Sequence, residues 1–295
     1  MALAGRRGLL VAALALAGPV GAQVPDLSEV RIVATPLRDG IYMLEATGDV
    51  AGNIAVSVGE DGILIVDDQW EGLGGQILDA LQALHSGPLR FILNTHHHDD
   101  HSDGNAVLSA ATGATVIAHD RARARLMHKQ AAHWPTVTYA DRMAIYFNGE
   151  KIEVLSVPGG HTDNDSIVIF ERSQVVHMGD LFNSGRTSYP LAHLAAGGSA
   201  LQILRNIERI LPLIPPGAKV VAGHGPLSDR AGLVDLRDML RFTIDFVRTR
   251  RASGLSLEAI KNEGFPAQYD EWNHGYISAS EWIEMIYKSL DQEAV

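Results

Sequence analysis

Residues Phe91 to Asn105 read FILNTHHHDDHSDGN. Four histidines and three aspartates fall within eight residues, directly after a short apolar run. The run Phe91–Leu93 reads as a buried strand, so from Thr95 onward the chain leaves a sheet at its C-terminal end. In α/β folds that edge is where ligands bind. His96 and His98 lie two apart in an extended segment, which points both side chains the same way. Asp100 and His101 follow where the chain is expected to turn into a helix. The spacing is H-x-H-x-D-H, with His97 and Asp99 in the variable slots and expected to point away. Two imidazoles can hold one metal while Asp100 and His101 reach a second beside it.

Three more polar residues stand at the ends of strand-like runs. His161 follows VLSVPGG, Asp180 follows VVHMG, and His224 lies in VVAGHG. Each has glycine beside it, which lets a backbone approach a site closely. His161 can complete a three-histidine site with His96 and His98. His224 can complete the other with Asp100 and His101. Asp180 is a carboxylate that can bridge the two. The chain has no cysteine, so any metal must be held by His, Asp, Glu or water. Zinc favours such nitrogen and oxygen ligands and, in catalytic sites, leaves a position for water. The remaining histidines, His85, His119, His128, His133, His177, His193 and His274, are expected to have no metal role.

T-H-x-H-x-D-H, then G-H-T, G-D-x-x-F and G-H-G, in that order, resemble the metallo-β-lactamase superfamily over roughly residues 30–230. The resemblance implies an α/β fold, a four-layer αβ/βα sandwich of two mixed sheets with a binuclear site at one edge. It also implies that ILIVDD carries an early acidic position, Asp67, behind the ligands, where it can orient one of them. Two divalent ions, zinc or another such metal, would share a water and lower its pKa towards neutrality, and the resulting hydroxide would attack a carbonyl. Asp100 would bind metal, orient the nucleophile and pass a proton to the leaving group. No GxSxG elbow offers a serine alternative.

The rest of the chain bounds this reading. The 295 residues suffice for one large domain or two small ones, and the apolar fraction of 46 % suits a substantial core. Net charge is -11, which opposes a nucleic-acid partner. Arg6 and Arg7 precede an apolar run from Leu9 to Val20, with small residues up to Ala22. That pattern reads as a signal peptide over residues 1–22, too short for a spanning helix of about 20 apolar residues. The mature protein is then expected in the periplasm or secreted, with no later segment to insert in a membrane. Strand-like runs bounded by Gly or Asp alternate with helical patterns over residues 23–254, and the turns GEDG (59–62) and NGEK (148–151) look like hairpin connections. A helical tail over 255–295 is expected to pack on this domain, with a lid as the sharper alternative.

Fold does not name the substrate. Export opposes a glutathione-thioester hydrolase, because glutathione is cytosolic. The lactamases that this chain resembles carry Cys or Ser where Asp180 stands, so the aspartate points towards a lactone, ester or amide hydrolase of small molecules. A true β-lactamase is the alternative. A non-hydrolytic metal-binding or iron redox protein is an alternative of another class, disfavoured by the full ligand set. In Asn183–Ser199, Arg186 is expected to meet a substrate carboxylate and Tyr189 to donate to an oxyanion. The turn Ala46–Asn53 is expected to be a mobile flap over the metals.

Overall fold

In the computed structural model, which describes residues 25–292, the chain opens with an antiparallel meander. β1 (Ile32–Arg38), β2 (Ile41–Ala46), β3 (Ile54–Gly59) and β4 (Gly62–Val66) pair in sequence order. After α1 (Gly74–Leu84) the pairing becomes parallel through β5 (Leu89–Leu93), β6 (Thr115–His119) and β7 (Val137–Tyr139). Parallel neighbours need long crossovers. α2 (Asp99–Ser102) and α3 (Asn105–Thr112) supply one, and α4 (Asp120–Leu126) the next. The result is a seven-stranded mixed sheet.

A second sheet follows. β8 (Arg142–Phe147), β9 (Glu150–Ser156), β10 (Ser166–Phe170) and β11 (Val175–His177) are antiparallel neighbours. Asn148 and Gly149, with φ of 50° and 72°, form the tight turn between β8 and β9. α5 (Ala200–Ile210) leads to β12 (Lys219–Val221), parallel to β11, and β13 (Ser228–Asp229) closes the edge. α6 (Arg230–Ala252), α7 (Leu257–Glu263) and α8 (Ala279–Gln292) complete the chain. Asp229 starts α6 by accepting from the amides of Ala231 and Gly232.

Three apolar clusters make this a four-layer sandwich. β4, fully buried along its length, shows why. Its period of two sends Leu64 and Val66 between the sheets, with Val154, Val168 and Phe170 of the second sheet. Ile63 and Ile65 point the other way, onto Ile77 and Leu81 of α1. The outer face of the second sheet packs on α5 and α6, and the same cluster takes in Ile260, Trp272, Trp282, Ile283 and Ile286 of the tail. The tail thus lies inside the helical layer of the second sheet. The expected signal peptide falls outside the described residues. Among the described residues, no helix is long and apolar enough to cross a membrane.

This topology positions the site. β4 and β5 run in parallel, and so do β11 and β12. β9 shares the direction of β11, since both are antiparallel to β10. Asp67, His96, His161, Asp180 and His224 all lie just beyond the C-terminal ends of these five strands. The two sheets are joined at this edge, where the Ser166 amide donates to the Thr95 carbonyl at 2.9 Å.

Candidate metal centre

The seven side chains expected to ligate converge at this edge. Ligand atoms of His96, His98, His161 and Asp180 lie within 4.8 Å of one another, and so do those of Asp100, His101 and His224. Asp180 connects the two sets. Its Oδ1 lies 3.1 Å from His101 Nε2, and its Oδ2 lies 3.5 Å from His161 Nε2 and 3.6 Å from His224 Nε2. A glycine at 223 makes the space, because a Cβ there would lie 2.0 Å from Asp180 Oδ1.

Each imidazole presents one nitrogen inward and has the other held. His96 Nδ1 meets Thr95 Oγ1 at 3.0 Å. His98 turns Nδ1 inward, 2.8 Å from His161 Nε2. His161 Nδ1 donates to the Leu191 carbonyl at 2.7 Å. His101 Nδ1 donates to Asp67 Oδ2 at 2.8 Å, and His224 Nδ1 faces Asp49 Oδ1 at 3.6 Å. Asp67 is fully buried at a φ of 66°, and also accepts from the amide and hydroxyl of Thr95, at 2.7 and 2.9 Å. It therefore stands behind His101, at the position implied by resemblance. His97 and Asp99 do point elsewhere, to Asn164 and to Lys129.

The chemistry of these groups fits divalent metal. His96 Nε2 and Asp180 Oδ1 are buried without a hydrogen-bond partner, a costly state unless something binds them. Asp180 Oδ1 is close to His101 but not aligned for a hydrogen bond. Burial, with His161 and His97 beside it, pushes His98 down to about 2, and burial likewise lowers His96 and His161. These three imidazoles are therefore neutral and ready to ligate. The second set differs. Burial opposes charge on His101, yet Asp180, Asp100 and Asp67 raise it well above the ordinary imidazole value. His224 is likewise raised, to about 10, by Asp180, Asp100 and Asp49 against the cost of burial. Against the same cost, His101 and His224 hold Asp100 at about 2, and with His161 hold Asp180 well below the carboxylate range.

A proton count follows from this asymmetry. Ligation needs bare nitrogens, so metal uptake releases any proton held there. The first set has none to lose, whereas the carboxylates around the second set favour the protonated form of its imidazoles, His224 above all. Zinc titration of metal-free protein near neutral pH should release at least one proton per chain, with affinity rising with pH. Calorimetry in buffers of different ionisation enthalpy measures this. Zinc uptake with no net proton release would show that the second set is not used.

The substrate contacts expected in Asn183–Ser199 need correction. Tyr189 is only 1 % exposed, and its hydroxyl donates to the Tyr269 carbonyl at 3.1 Å. Its ring packs with Phe265, Trp272 and Trp282, so the tail's aromatic residues draw it into the core and away from any oxyanion. Arg186 lines a cavity of about 310 Å³ with Asn183, Pro226, Asp235 and Trp272, but its guanidinium is paired with Asp235 and lies 3.9 Å from Glu271. The second half of the turn 46–53 is anchored. Gly52 N donates to the Asp100 carbonyl, Asn53 N to the Gly223 carbonyl, and the side chains of Gln69 and Trp70 bond to the carbonyls of Gly52 and Val50. A Cβ at Gly52 would lie 2.2 Å from the His101 ring. Asp49 and His193 were not legible as site residues, since neither has a motif and each meets its partner only in the fold.

The metallo-beta-lactamase superfamily model matches residues 47–224. The chain belongs to that superfamily. It is similar to a hydroxyacylglutathione hydrolase of Methylococcus capsulatus, 34 % identical over 158 residues, which cover 52 % of this chain and 54 % of that protein. The chain thus spans about half the length of that relative. It is also similar to the metallo-beta-lactamase type 2 of Bacillus cereus, 25 % identical over 71 % of this chain and 83 % of that one. A metallo-beta-lactamase from Pontibacter korlensis shares the fold with a TM-score of 0.64 at 19 % identity, covering 72 % of this chain and 99 % of that one.

Proposed function

We propose that the protein is an exported binuclear zinc hydrolase of small carbonyl substrates, esters, lactones or amides. The observation that carries this is Asp180, a buried carboxylate between two sets of nitrogen and oxygen donors. Two divalent ions bound there would supply an activated water and Lewis acidity towards the carbonyl. The chain's own part is orientation and proton handling. Asp100 has the more accessible side chain of the two central carboxylates, 24 % exposed against 9 % for Asp180. It is ionised, lies beside His224, and is placed to take a proton from the nucleophile and return it to the leaving group. Negative charge from Asp180 disfavours a leaving group that departs as a nitrogen anion more than one that departs as an alkoxide. Export is supported by the pattern of Arg6, Arg7 and the apolar run after them, and by the absence of cysteine.

A second reading, hydrolysis of a glutathione thioester, is favoured by the similarity to hydroxyacylglutathione hydrolases. The pairing of Arg186 with Asp235 tells against it, because that arginine is not free to take a carboxylate of glutathione. Zinc-loaded protein should be assayed on an aryl ester, a lactone, a hydroxyacyl-glutathione and representative penicillins, cephalosporins and carbapenems. The lactone or ester is expected to give the highest kcat/KM. The highest value on the thioester would establish the second reading. A lactam kcat/KM near ~10⁶ M⁻¹s⁻¹, with esters far behind, would make the protein a β-lactamase despite its aspartate.

A further inference from the structure

We infer that His193 is a positioning residue for the first ligand set, and that the segment Leu191–His193 clamps two of its three imidazoles. The inference rests on the reading of that set as a metal site.

The geometry is specific. His193 Nδ1 lies 2.8 Å from His98 Nε2, on the side of the His98 ring opposite the ligand cluster. Two residues earlier, the Leu191 carbonyl accepts from His161 Nδ1 at 2.7 Å. The His193 amide donates to the His161 carbonyl at 2.9 Å, which fixes the two chain segments relative to each other. The His193 carbonyl accepts from Ala196 at 2.9 Å and Gly198 at 3.0 Å, so the residue sits at the start of a closed turn.

The protons then follow. For His98 to ligate through Nδ1, that nitrogen must be bare and the ring's proton must be on Nε2. Nε2–H donates to His193 Nδ1, which must be bare in turn, and His193 carries its own proton on Nε2. With the protons so placed, His193 supports the ligating tautomer of His98 and fixes its ring plane. The Leu191 carbonyl does the same for His161 from the opposite nitrogen. The two sets are thus held differently. The first set rests on neutral acceptors, an imidazole, a carbonyl and the Thr95 hydroxyl. The second rests on carboxylates, Asp67 behind His101 and Asp49 beside His224. Losing His193 should accordingly affect the first ion and spare the second.

The test compares the full-length wild type with His193→Phe, which keeps a ring but has no acceptor, and His193→Asn, whose Oδ1 falls near the position of Nδ1. Stepwise zinc affinities come from chelator competition, the first-set geometry from the d–d spectrum of cobalt-loaded protein, and fold integrity from thermal unfolding of the metal-free forms. His193→Phe should lose about 10–100-fold in affinity for the first ion, with the second unchanged and the cobalt bands shifted. His193→Asn should restore both affinity and spectrum. His193→Ala, which has no ring to intrude on the site, should show the same loss. A wild type that binds two ions, with acceptor-less variants of unchanged affinity and spectrum, overturns the inference alone. A wild type that binds none overturns the metal reading and the inference with it.

Discussion

Asp180→Ala should leave one tightly held ion per chain and reduce turnover by on the order of 10³-fold. Asp180 places its two carboxylate oxygens between the ligand sets, near His101 on one side and His161 on the other. Removing it takes away negative charge at the point where two like-charged ions would approach most closely. It also leaves His101 and His224, whose Nε2 atoms already lie 3.3 Å apart, without the carboxylate that stands beside both. The second set then keeps Asp100 as its only ligating carboxylate, whereas the first retains three neutral imidazoles. Elemental analysis after dialysis against limiting zinc, alongside kcat on the best substrate, reads both effects. Two ions with near-normal activity would show that Asp180 is a bystander.

The ligand pattern was legible because most of it is local. H-x-H-x-D-H needs only a strand that ends and a helix that starts, and β5 and α2 supply both. His161, Asp180 and His224 were legible for a related reason, since each follows an apolar run that ends in glycine, and strands that share a direction bring such ends together. What failed to show has tertiary causes. Tyr189 looks like a polar residue in a pocket-lining loop, but its burial depends on Phe265, Trp272 and Trp282, all more than 70 residues away. His193 is separated from His98 by 95 residues, and no spacing rule links them. The edge strands β1 and β8 carry a weak signal in the sequence for another reason. β1 is largely exposed and carries Pro36, which an edge strand tolerates and a central one does not. β8 alternates exposed and partly buried residues, with Arg142 and Tyr146 facing out, so it lacks the continuous burial of β4.

The turn 46–53 lies beside the second ligand set, and one of its glycines has a packing cause that its sequence does not show. Its glycines suggested a mobile hairpin tip over the metals. Gly52 is there instead because the His101 ring occupies the space a side chain would need. Asn53 ties the base of the turn to the opposite sheet, its side-chain amide donating to the carbonyls of Ala222 and Gly225. The segment reaches His224 through Asp49, so it belongs to the wall of the second set.

Asp67→Asn should largely preserve the fold and still weaken the second ion by about 10–100-fold. The change is almost isosteric, and Asn accepts the φ of 66° at this position as readily as Asp. The difference lies in the protons. Asp67 accepts at both oxygens, from the Thr95 amide at Oδ1 and from the Thr95 hydroxyl and His101 Nδ1 at Oδ2. An asparagine has one acceptor and one donor end. If its NH₂ faces His101, Nδ1 must be bare and the proton moves to Nε2, the nitrogen that must ligate. If it faces the Thr95 amide, two donors oppose each other inside a buried site. Either way the His101 tautomer needed for ligation loses support. Asp67→Ala removes both contacts and leaves His101 without its buried carboxylate, at a cost of roughly 3–5 kcal/mol in stability. Unfolding midpoints separate the two variants, and stepwise zinc affinities report on His101. An asparagine variant that binds its second ion as tightly as the wild type would show that Asp67 holds the backbone of Thr95 and does not control the imidazole behind which it lies.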